Sequence, residues 1–562
     1  MENTKLISEL LLHCEEKGLA PKYVYDKKTY KEQGNSFFRQ SLPVRTDPVE
    51  YNCKGEEIFV VSDLHIASGR NFAGVYEGTE NFFADEPFRR FLKYADNIKK
   101  TDNALLVING DLFDFLRVTD CPGKGKEIRT SRRIKQALKL NFLPKKKKYC
   151  AVSTEEEYEE WSSELEKIGI IKSAEVLENS IDKKEIKYGL KTDDYKTIYK
   201  LIKIRKGHPD FFKALSEWMG EGNKLIVLKG NHDLELYWPA VRNYIRLLIA
   251  DGIVDEPGEK NIEEVLRSIV LPNLTFVDDS VEIDGDFYIE HGHRYDKFCM
   301  VLDDAVLKNN QNEINIPFGS FFNRYLLNRV ELFYPFLDNV KPPGNVLSIL
   351  FRENFPLGLK ILFLYIPVLF KVLFKRFRYA WFMFNRAFWL ILALLFPFII
   401  IYFFYPGIVD VTKERISSIN NLPGAAAFFL DQLKNVGLLI ASYLLGRLVA
   451  WFQLDEPSSL HNFARHRFKN TNYKIMTMGH THNPGEYIFK FGEEDCRRFY
   501  NSGTWIPVVE SSTADIREDK TYTFLYIERG DNGKLRPAFG GLLQRWNDDA
   551  GRAEPLRLVQ RK

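Results

Sequence analysis

The sequence predicts an α/β (α+β) fold with an inserted helical membrane module. Two observations support this prediction. Five short apolar runs are each followed by a polar cluster containing Gly, Asn or Asp, which is typical of a buried strand that ends in a turn. Between the fourth and fifth runs, residues 316–455 form a long stretch rich in hydrophobic and aromatic side chains.

Five buried strands are predicted from the apolar runs at 58–61, 104–108, 225–228, 287–289 and 475–478. Each run leads into a polar motif, and in chain order these are Asp63-Leu64-His65, Gly110-Asp111, Gly230-Asn231-His232-Asp233, His291-Gly292-His293 and Gly479-His480-Thr481-His482. Six of the ten histidines lie in these motifs, so the motifs are more than ordinary turns. In open α/β sheets, ligand sites form where strands end, so we expect the five loops to meet at one edge.

The side chains of the motifs are suitable ligands for a pair of divalent cations. Carboxylate, imidazole and amide oxygen groups suit Mn, Fe and Zn better than Ca²⁺, which takes oxygen ligands. No cysteine lies in any motif, which argues against a thiolate zinc site. One carboxylate can bridge two ions that lie about 3.5–4 Å apart.

The five motifs, in this order, resemble those of the calcineurin-like metallophosphoesterase superfamily. The resemblance covers roughly residues 55–310 and 470–545. It implies a four-layer αββα sandwich, in which two sheets are flanked by helices, and a site for two metal ions. The implied ligands of the first ion are Asp63, His65, Asp111 and His482, and those of the second are Asp111, Asn231, His291 and His480.

The resemblance also implies a reaction. Asp111 would bridge the two ions, and a hydroxide shared by them would attack a phosphoester or pyrophosphate bond. His232 would protonate the leaving oxygen or stabilise the developing charge, and Asp114 would orient His232. Mn²⁺ is the preferred metal, with Fe or Zn as alternatives.

Three more residues are candidates for contact with substrate: His293, Asp233 and Arg117. Asp233 could instead support a metal ligand or cap a following helix. His293 could instead make a structural hydrogen bond. The remaining histidines are expected to be ordinary surface or packing residues.

Departures from the motifs of individual subfamilies limit which activities the resemblance implies. Phe115 stands where the protein Ser/Thr phosphatases of this superfamily have a phosphate-binding Arg. This difference weakens the interpretation that the chain is a phosphoprotein phosphatase. The strings GDLFDF and YNSGTW resemble more closely the branch that contains UDP-2,3-diacylglucosamine hydrolase. That branch has Arg in place of His232 and Asp in place of His293, so its substrate is not carried over. The predicted substrate is a phosphomonoester, phosphodiester or pyrophosphate, with a lipid-linked part as a hypothesis.

A transmembrane hairpin is predicted inside the hydrophobic stretch. Residues 387–405 contain no charged side chain over 19 positions, and a helix of that length spans roughly 28 Å, close to the thickness of a bilayer core. The second span, 433–452, contains Arg447 near its end. His291 and His480 must meet at one ion, so both flanks of the hairpin lie on one side of a membrane. The alternatives are helices lying in one leaflet or a buried helical pair.

Charge places the catalytic domain in the cytoplasm. Basic residues flank the hairpin on the side of the motifs, whereas the loop 406–432 is balanced, which follows the positive-inside rule. The net charge of +3 argues against a nucleic-acid partner. The predicted partners are therefore the phosphoester substrate and membrane lipid, and the oligomeric state is open.

The predicted domain order has four parts. These are an N-terminal helical extension at 1–50, a first core segment at 51–315 with an insertion at about 117–215, the hydrophobic insertion at 316–455, and a second core segment at 456–562. Two rival functions remain. One is a phosphatase or nucleotide phosphodiesterase whose membrane part only fixes its location, and the other is a non-catalytic metal-binding membrane scaffold. His232 argues against the scaffold, because a purely structural site needs no proton donor.

Overall fold

The computed structural model describes residues 48–122, 154–328 and 460–558, apart from short gaps, together with a few isolated positions. The gaps are 54, 72, 255–260, 297, 302–303, 494, 511–515, 531–532 and 557, and the isolated positions are 7, 9–11, 340–341, 352, 355–356 and 358–359. These residues form a mixed α/β fold with several sheets.

The five strands predicted from the motifs are all present. In chain order the described strands are β1 Val49–Tyr51, β2 Glu57–Val61, β3 Ala104–Asn109, β4 Lys224–Leu228, β5 Leu274–Val277, β6 Ser280–Ile283, β7 Phe287–Glu290, β8 Val306–Leu307, β9 Asn310–Ile314, β10 Val340–Lys341, β11 Ile475–Met478, β12 Gly485–Lys490, β13 Cys496–Asn501, β14 Val509–Glu510, β15 Thr523–Arg529, β16 Leu535–Pro537, β17 Gln544–Asn547 and β18 Arg552–Pro555. The predicted runs correspond to β2, β3, β4, β7 and β11.

Helices lie between many of these strands. The described α-helices are α1 Asp85–Ile98, α2 Thr154–Lys167, α3 Ala174–Asn179, α4 Lys183–Tyr188, α5 Asp194–Gly207, α6 Pro209–Gly220, α7 Pro239–Val254, α8 Ile262–Val265, α9 Leu271–Asn273, α10 Phe318–Phe322 and α11 Leu460–Asn470. Local sequence explains several of their starts. Asp182 and Glu185 form a capping box at the start of α4, and Pro209 occupies the first turn of α6, where its missing N–H is not needed.

The larger sheet has the strand order β18-β17-β15-β2-β3-β4-β5, with β16 paired to β15. Its strands from β2 to β5 are parallel, and β15 runs antiparallel to β2. Every residue of β2 and β3 is buried, as expected for parallel strands that are covered on both faces.

The second sheet has the order β1-β6-β7-β11-β13-β12. Its central strands β7, β11 and β13 are parallel, so β7 and β11 deliver the loops that follow them to the same edge. In the larger sheet, β2, β3 and β4 do the same. The five motifs therefore begin at the carboxyl ends of five strands in two sheets.

Three apolar layers explain how the strands are covered. One cluster joins Ile58 and Val107 of the larger sheet to Ile289 of the second sheet, so these faces pack on each other. A second cluster joins the other face of the larger sheet to helices such as α1 and α6. In a third, Leu460 and Phe468 of α11 pack on β7, β11 and β13 of the second sheet.

The predicted extension and insertion are only partly described. Of residues 1–50, the structure describes 7, 9–11 and 48–50, and 7 and 9–11 are helical. In the insertion at about 117–215, residues 123–153 lie outside the described residues. The described part from 154 onward consists of helices joined by short loops, and Trp161 of α2 and Tyr199 of α5 are buried in the same cluster as α1.

The chain divides into two compact units. The first comprises Met1–Gly34, Ser41–Val340 and Pro457–Lys562, and it contains both of the large sheets. The second comprises Asn35–Gln40 and Lys341–Glu456, of which the structure describes only 341, 352, 355–356 and 358–359.

The predicted membrane module requires correction, and with it the predicted membrane location. In the part of the chain that the structure describes, no helix is both long and apolar enough to cross a bilayer. The two predicted spans, 387–405 and 433–452, lie outside the described residues. The described residues therefore show a mixed α/β fold with several sheets, and they do not support an inserted transmembrane module.

Candidate metal centre

The loops that follow the five strands have unusual backbone conformations. Five residues of the motifs have a positive φ, between 50° and 69°: Asp63, His65, Asp111, His480 and His482. The left-handed conformation costs a non-glycine residue roughly 1–2 kcal/mol, and such strain is typical of functional sites. In the described residues only three other non-glycine positions have a positive φ, so the strain is concentrated at this site.

Glycines allow these loops to approach one another. A Cβ atom on Gly230 would lie 2.1 Å from Oδ1 of Asp111, and one on Gly479 would lie 2.4 Å from Oδ2 of Asp63. Both distances are shorter than a contact between side chains can be. The glycines that mark the motifs therefore leave room for the carboxylates.

Hydrogen bonds tie the loops together at their backbones. The amide of Asp63 donates to the carbonyl of Gly110, and the amide of His65 donates to the carbonyl of Asp111. The amide of His480 lies 3.1 Å from both carboxylate oxygens of Asp63. The motifs are thus held in place by the chain itself.

The first group of side chains consists of Asp63, His65 and His482. Nε2 of His65 lies 3.0 Å from Nε2 of His482, and Nε2 of His482 lies 3.3 Å from Oδ1 of Asp63. These ligand atoms converge on one point, and the group could hold a metal ion.

The second group consists of Asp111, His291 and His480, with Asn231 beside it. Nε2 of His291 lies 3.1 Å from Oδ2 of Asp111 and 3.2 Å from Oδ1 of Asn231. Nδ1 of His291 lies 2.8 Å from the carbonyl oxygen of Asn109, to which it donates a hydrogen bond. Nε2 is therefore the atom that His291 can offer to a cation.

Asp111 lies between the two groups. Its Oδ2 atom is 3.6 Å from Nε2 of His65 and 3.1 Å from Nε2 of His291. The structure therefore contains buried His and Asp groups that could hold metal ions, and one oxygen of Asp111 lies within 3.6 Å of an imidazole from each group.

The pKa values of the buried side chains show that the site favours positive charge. Burial alone would lower the pKa of His65, but the carboxylates around it, led by Asp114, raise this pKa to about 10. Burial would also lower the pKa of His291, but the charge of Asp111 raises this pKa to about 9. Burial would raise the pKa of Asp111, yet the nearby imidazoles, led by His291, hold it well below its usual range. Cations bound here would displace the protons of these imidazoles.

His232 lies beside the two groups and remains the more accessible side chain. Its Nδ1 atom is 2.8 Å from Oδ2 of Asp114, and 19 % of its side chain is exposed. Burial would lower the pKa of His232, but the charge of Asp114 and then of Asp111 raises it. His232 and Asp114 thus form the pair that the sequence predicts.

Arg117 is buried and lies against Asp114, and its contact with a substrate stays a prediction. Its side chain is 1 % exposed, and Nε lies 3.2 Å from Oδ2 of Asp114. Nη1 donates to the carbonyl of Thr79 at 2.8 Å. Arg117 lies three residues after Asp114, and the turn there folds its side chain back onto that carboxylate.

Asp233 is buried, and its carboxylate joins two loops of the site, while its contact with a substrate stays a prediction. Its Oδ1 atom accepts a hydrogen bond from the amide of Gly230 at 2.6 Å, and Oδ2 accepts one from Leu112 at 2.8 Å. The side chain does not cap the helical turn that follows. Burial and then the charge of Asp111 raise the pKa of Asp233 to about 7. Of the two structural alternatives, the helix cap is not observed, and the carboxylate instead binds the amides of the loops that carry Asn231 and Asp111.

His293 is buried next to the second group, with its ring centroid 5.4 Å from that of His291. Neither of its ring nitrogens has a hydrogen-bond partner among the described residues. The structural hydrogen bond that was predicted as an alternative role for His293 is therefore not observed among the described residues.

Two features of the site were missed by sequence reasoning. Oδ2 of Asp296 lies 3.2 Å from Nε2 of His480, and Asp296, Cys299 and His480 form a further group of possible ligand atoms. The sequence signal was the aspartate five residues after His291, but it lies outside the five motifs.

The second missed feature supports the loop after His65. His208 is buried and contacts Asp85 at 2.9 Å and Glu80 at 3.1 Å, and Glu80 accepts a hydrogen bond from the amide of Gly69. Burial would lower the pKa of His208, but the two carboxylates raise it to about 9. No local sequence pattern predicts the contacts of His208 with Asp85 and Glu80.

No family model matches the chain, and none of the curated proteins is significantly similar to it. The functional interpretation therefore depends on the motifs and on the geometry of the site.

Proposed function

We propose that this protein is a metal-dependent phosphoesterase of the calcineurin-like type, which hydrolyses a phosphoester or pyrophosphate bond at a centre of two divalent ions. The observation that carries the proposal is the position of Asp111. One of its oxygens lies near an imidazole of each group, His65 on one side and His291 on the other. A bridging carboxylate between two sets of ligands is typical of two-metal hydrolytic sites.

The donor set fits the proposed ions. Each group combines imidazole nitrogen with carboxylate oxygen, and Asn231 adds an amide oxygen to the second group. This mixture is compatible with Mn²⁺, which is the preferred ion, and with Fe and Zn as alternatives. Bound divalent ions supply Lewis acidity, which offsets phosphoryl charge and lowers the pKa of water.

The residues have separate tasks in this proposal. The first ion would be held by Asp63, His65, Asp111 and His482, and the second by Asp111, Asn231, His291 and His480. Hydrogen bonds within the loops fix these side chains before a substrate arrives, so little reorganisation is needed during the reaction.

His232 is the proposed proton donor to the leaving oxygen. Its Nδ1 atom is engaged by Asp114, which leaves Nε2 as the nitrogen for a substrate oxygen. The raised pKa of His232 keeps a larger fraction of the ring protonated at neutral pH. A site that served only to bind metal would need no such donor, which argues against the scaffold alternative.

The substrate class stays at a phosphomonoester, phosphodiester or pyrophosphate. Hydrolysis of p-nitrophenyl phosphate, bis-p-nitrophenyl phosphate and a nucleoside diphosphate ester, with added Mn²⁺, tests the proposal. We expect metal-dependent turnover of at least one ester, which falls strongly in Asp111→Asn and His232→Ala. His466→Ala, on the outer helix α11, is the matched histidine control. Metal-loaded protein that turns over none of the three esters would contradict the proposal.

A further inference from the structure

Asp296 is a buried carboxylate that lies beside a metal-binding histidine but outside the five motifs. Its side chain lies against the ring of His480, with Oδ2 3.2 Å from Nε2. Only 5 % of the residue is exposed, so the carboxylate has little water to solvate it. A buried carboxylate needs hydrogen-bond donors, and the imidazole of His480 is one of them.

A compact turn fixes the position of this carboxylate. The other oxygen, Oδ1, accepts a hydrogen bond from the amide of Phe298 at 2.8 Å. The backbone of Asp296 donates to the carbonyl of His293 at 3.0 Å and accepts from the amide of Met300 at 2.8 Å. Because both the side chain and the backbone are engaged, Asp296 is positioned by the chain that leaves β7 and not by His480 alone.

The contact restricts which nitrogen of His480 carries hydrogen. A neutral imidazole has one N–H and one nitrogen lone pair, and an ionised carboxylate only accepts hydrogen bonds. The nitrogen that faces Asp296 is Nε2, so the hydrogen belongs there. The lone pair that a cation requires is then on Nδ1. His480 also belongs to the group formed with Asp111 and His291, on which the second ion is proposed.

We propose that Asp296 is a positioning residue that holds His480 as its Nε2–H tautomer and so makes Nδ1 the atom that binds the second cation. This inference rests on the proposed function, because it concerns the same site. A carboxylate behind a ligand histidine fixes the ring and raises its basicity, and loss of such a partner typically lowers metal affinity by about 10- to 100-fold.

A different arrangement of the same atoms gives the competing outcome. Asp296, Cys299 and His480 could themselves hold an ion, and then Nε2 and a thiolate would be ligands. The second ion would in that case depend on Cys299. If Asp296 acts through His480, Cys299 contributes nothing to metal affinity. Substitution of Cys299 therefore separates the two arrangements.

The test is a calorimetric titration of metal-free full-length protein with Mn²⁺, which requires no substrate. It compares wild type with Asp296→Ala, Asp296→Asn and Cys299→Ser. We expect two ions per chain in wild type, and a second ion bound about 10- to 100-fold more weakly in Asp296→Ala. Asp296→Asn should lose less, because its amide oxygen still accepts from Nε2–H. Cys299→Ser should bind like wild type.

Thermal unfolding of the metal-free forms shows whether each variant is folded. If Asp296→Ala does not fold, the comparison of Asp296→Asn with wild type still tests the inference. Loss of both ions together with lowered metal-free stability would assign Asp296 a merely structural role and overturn the inference. The inference would also be overturned if Asp296→Ala bound the second ion as tightly as wild type. It would likewise be overturned if Cys299→Ser lost as much affinity for that ion as Asp296→Ala. If wild type binds two ions and turns over an ester while Asp296→Ala binds both normally, only this inference fails. If wild type binds no ion, the proposed function fails with it.

Discussion

Nδ1 of His232 lies 2.8 Å from Oδ2 of Asp114, and this contact joins the accessible imidazole of the site to a fully buried carboxylate. The carboxylate orients the ring and stabilises its protonated form. Nε of Arg117 lies 3.2 Å from the same oxygen, which helps to keep Asp114 in place. The proposed proton donor is therefore held in place by two residues, Asp114 directly and Arg117 through Asp114.

Replacing Asp114 by Asn should weaken catalysis and move its pH dependence. Without the carboxylate, the raised pKa of His232 should fall. A proton donor must be protonated, so activity is lost as pH rises through its pKa, and the variant should lose activity at a lower pH than wild type. Proton donation of this kind contributes about 10²- to 10⁴-fold to the rate. Profiles of kcat against pH measure both effects. An unchanged alkaline limb would contradict the assigned role of His232.

Replacing Gly230 by Ala should disrupt the metal centre. The added Cβ would lie 2.1 Å from Oδ1 of Asp111, so the proposed bridging carboxylate must move. We expect loss of at least one bound Mn²⁺ per chain, measured as metal content after dialysis. Gly220→Ala is the matched control, because a Cβ there meets nothing within 4 Å. Equal metal content in the two variants would show that the approach of Gly230 to Asp111 does not matter.

Metal binding should release protons and weaken as the pH falls. The pKa of His65 is raised to about 10 and that of His291 to about 9, so both rings are largely protonated at pH 7 without metal. Ligand imidazoles must lose these protons to bind a cation. We expect release of about two protons per chain at pH 7, seen by calorimetry in buffers of different ionisation enthalpy. Buffer-independent heats would contradict this prediction.

The buried ion network around His208 should stabilise the fold most at low and neutral pH. The folded-state pKa of His208 is about 9 against an ordinary value of 6.5. Its contribution is therefore fully present below about pH 6.5 and is lost as pH rises through about 9. The shift corresponds to roughly 3 kcal/mol.

Urea unfolding of wild type and His208→Gln at several pH values measures this contribution. The difference in the free energy of unfolding should be largest near pH 6 and should shrink towards pH 9. Because Asp85 and Glu80 are the partners of His208, Glu80→Gln should reduce the same pH dependence. A difference that is constant from pH 6 to pH 9 would contradict the assignment.

The sequence predicts the parts of this site that have a local pattern. An apolar run, a glycine and a polar residue recur together, and this is sufficient to place β2, β3, β4, β7 and β11 and the loops after them. The pattern also indicates metal binding, because carboxylate and imidazole occur together in these loops. The ligand sets and the role of Asp111 came from the resemblance to a known superfamily.

The remaining parts depend on contacts between distant residues. Asp296 meets His480 across 184 positions, and His208 meets Asp85 across 123, so neither contact leaves a local trace in the sequence. The contact of Arg117 with Asp114 was likewise not predicted from the sequence, which offered Arg117 as a candidate for contact with substrate. Hydropathy alone predicted the membrane module, and no helix in the described part of the chain could cross a bilayer.

Stepwise addition of Mn²⁺ to metal-free protein, with ion binding and phosphoester hydrolysis followed in the same sample, tests the central claim most directly. We expect two ions per chain, and turnover that rises as the second ion binds, because Asp111 is proposed to serve both sites. Asp111→Asn should lose this rise. Binding of a single ion, or of two ions without hydrolysis of a phosphomonoester, phosphodiester or pyrophosphate, would contradict the account.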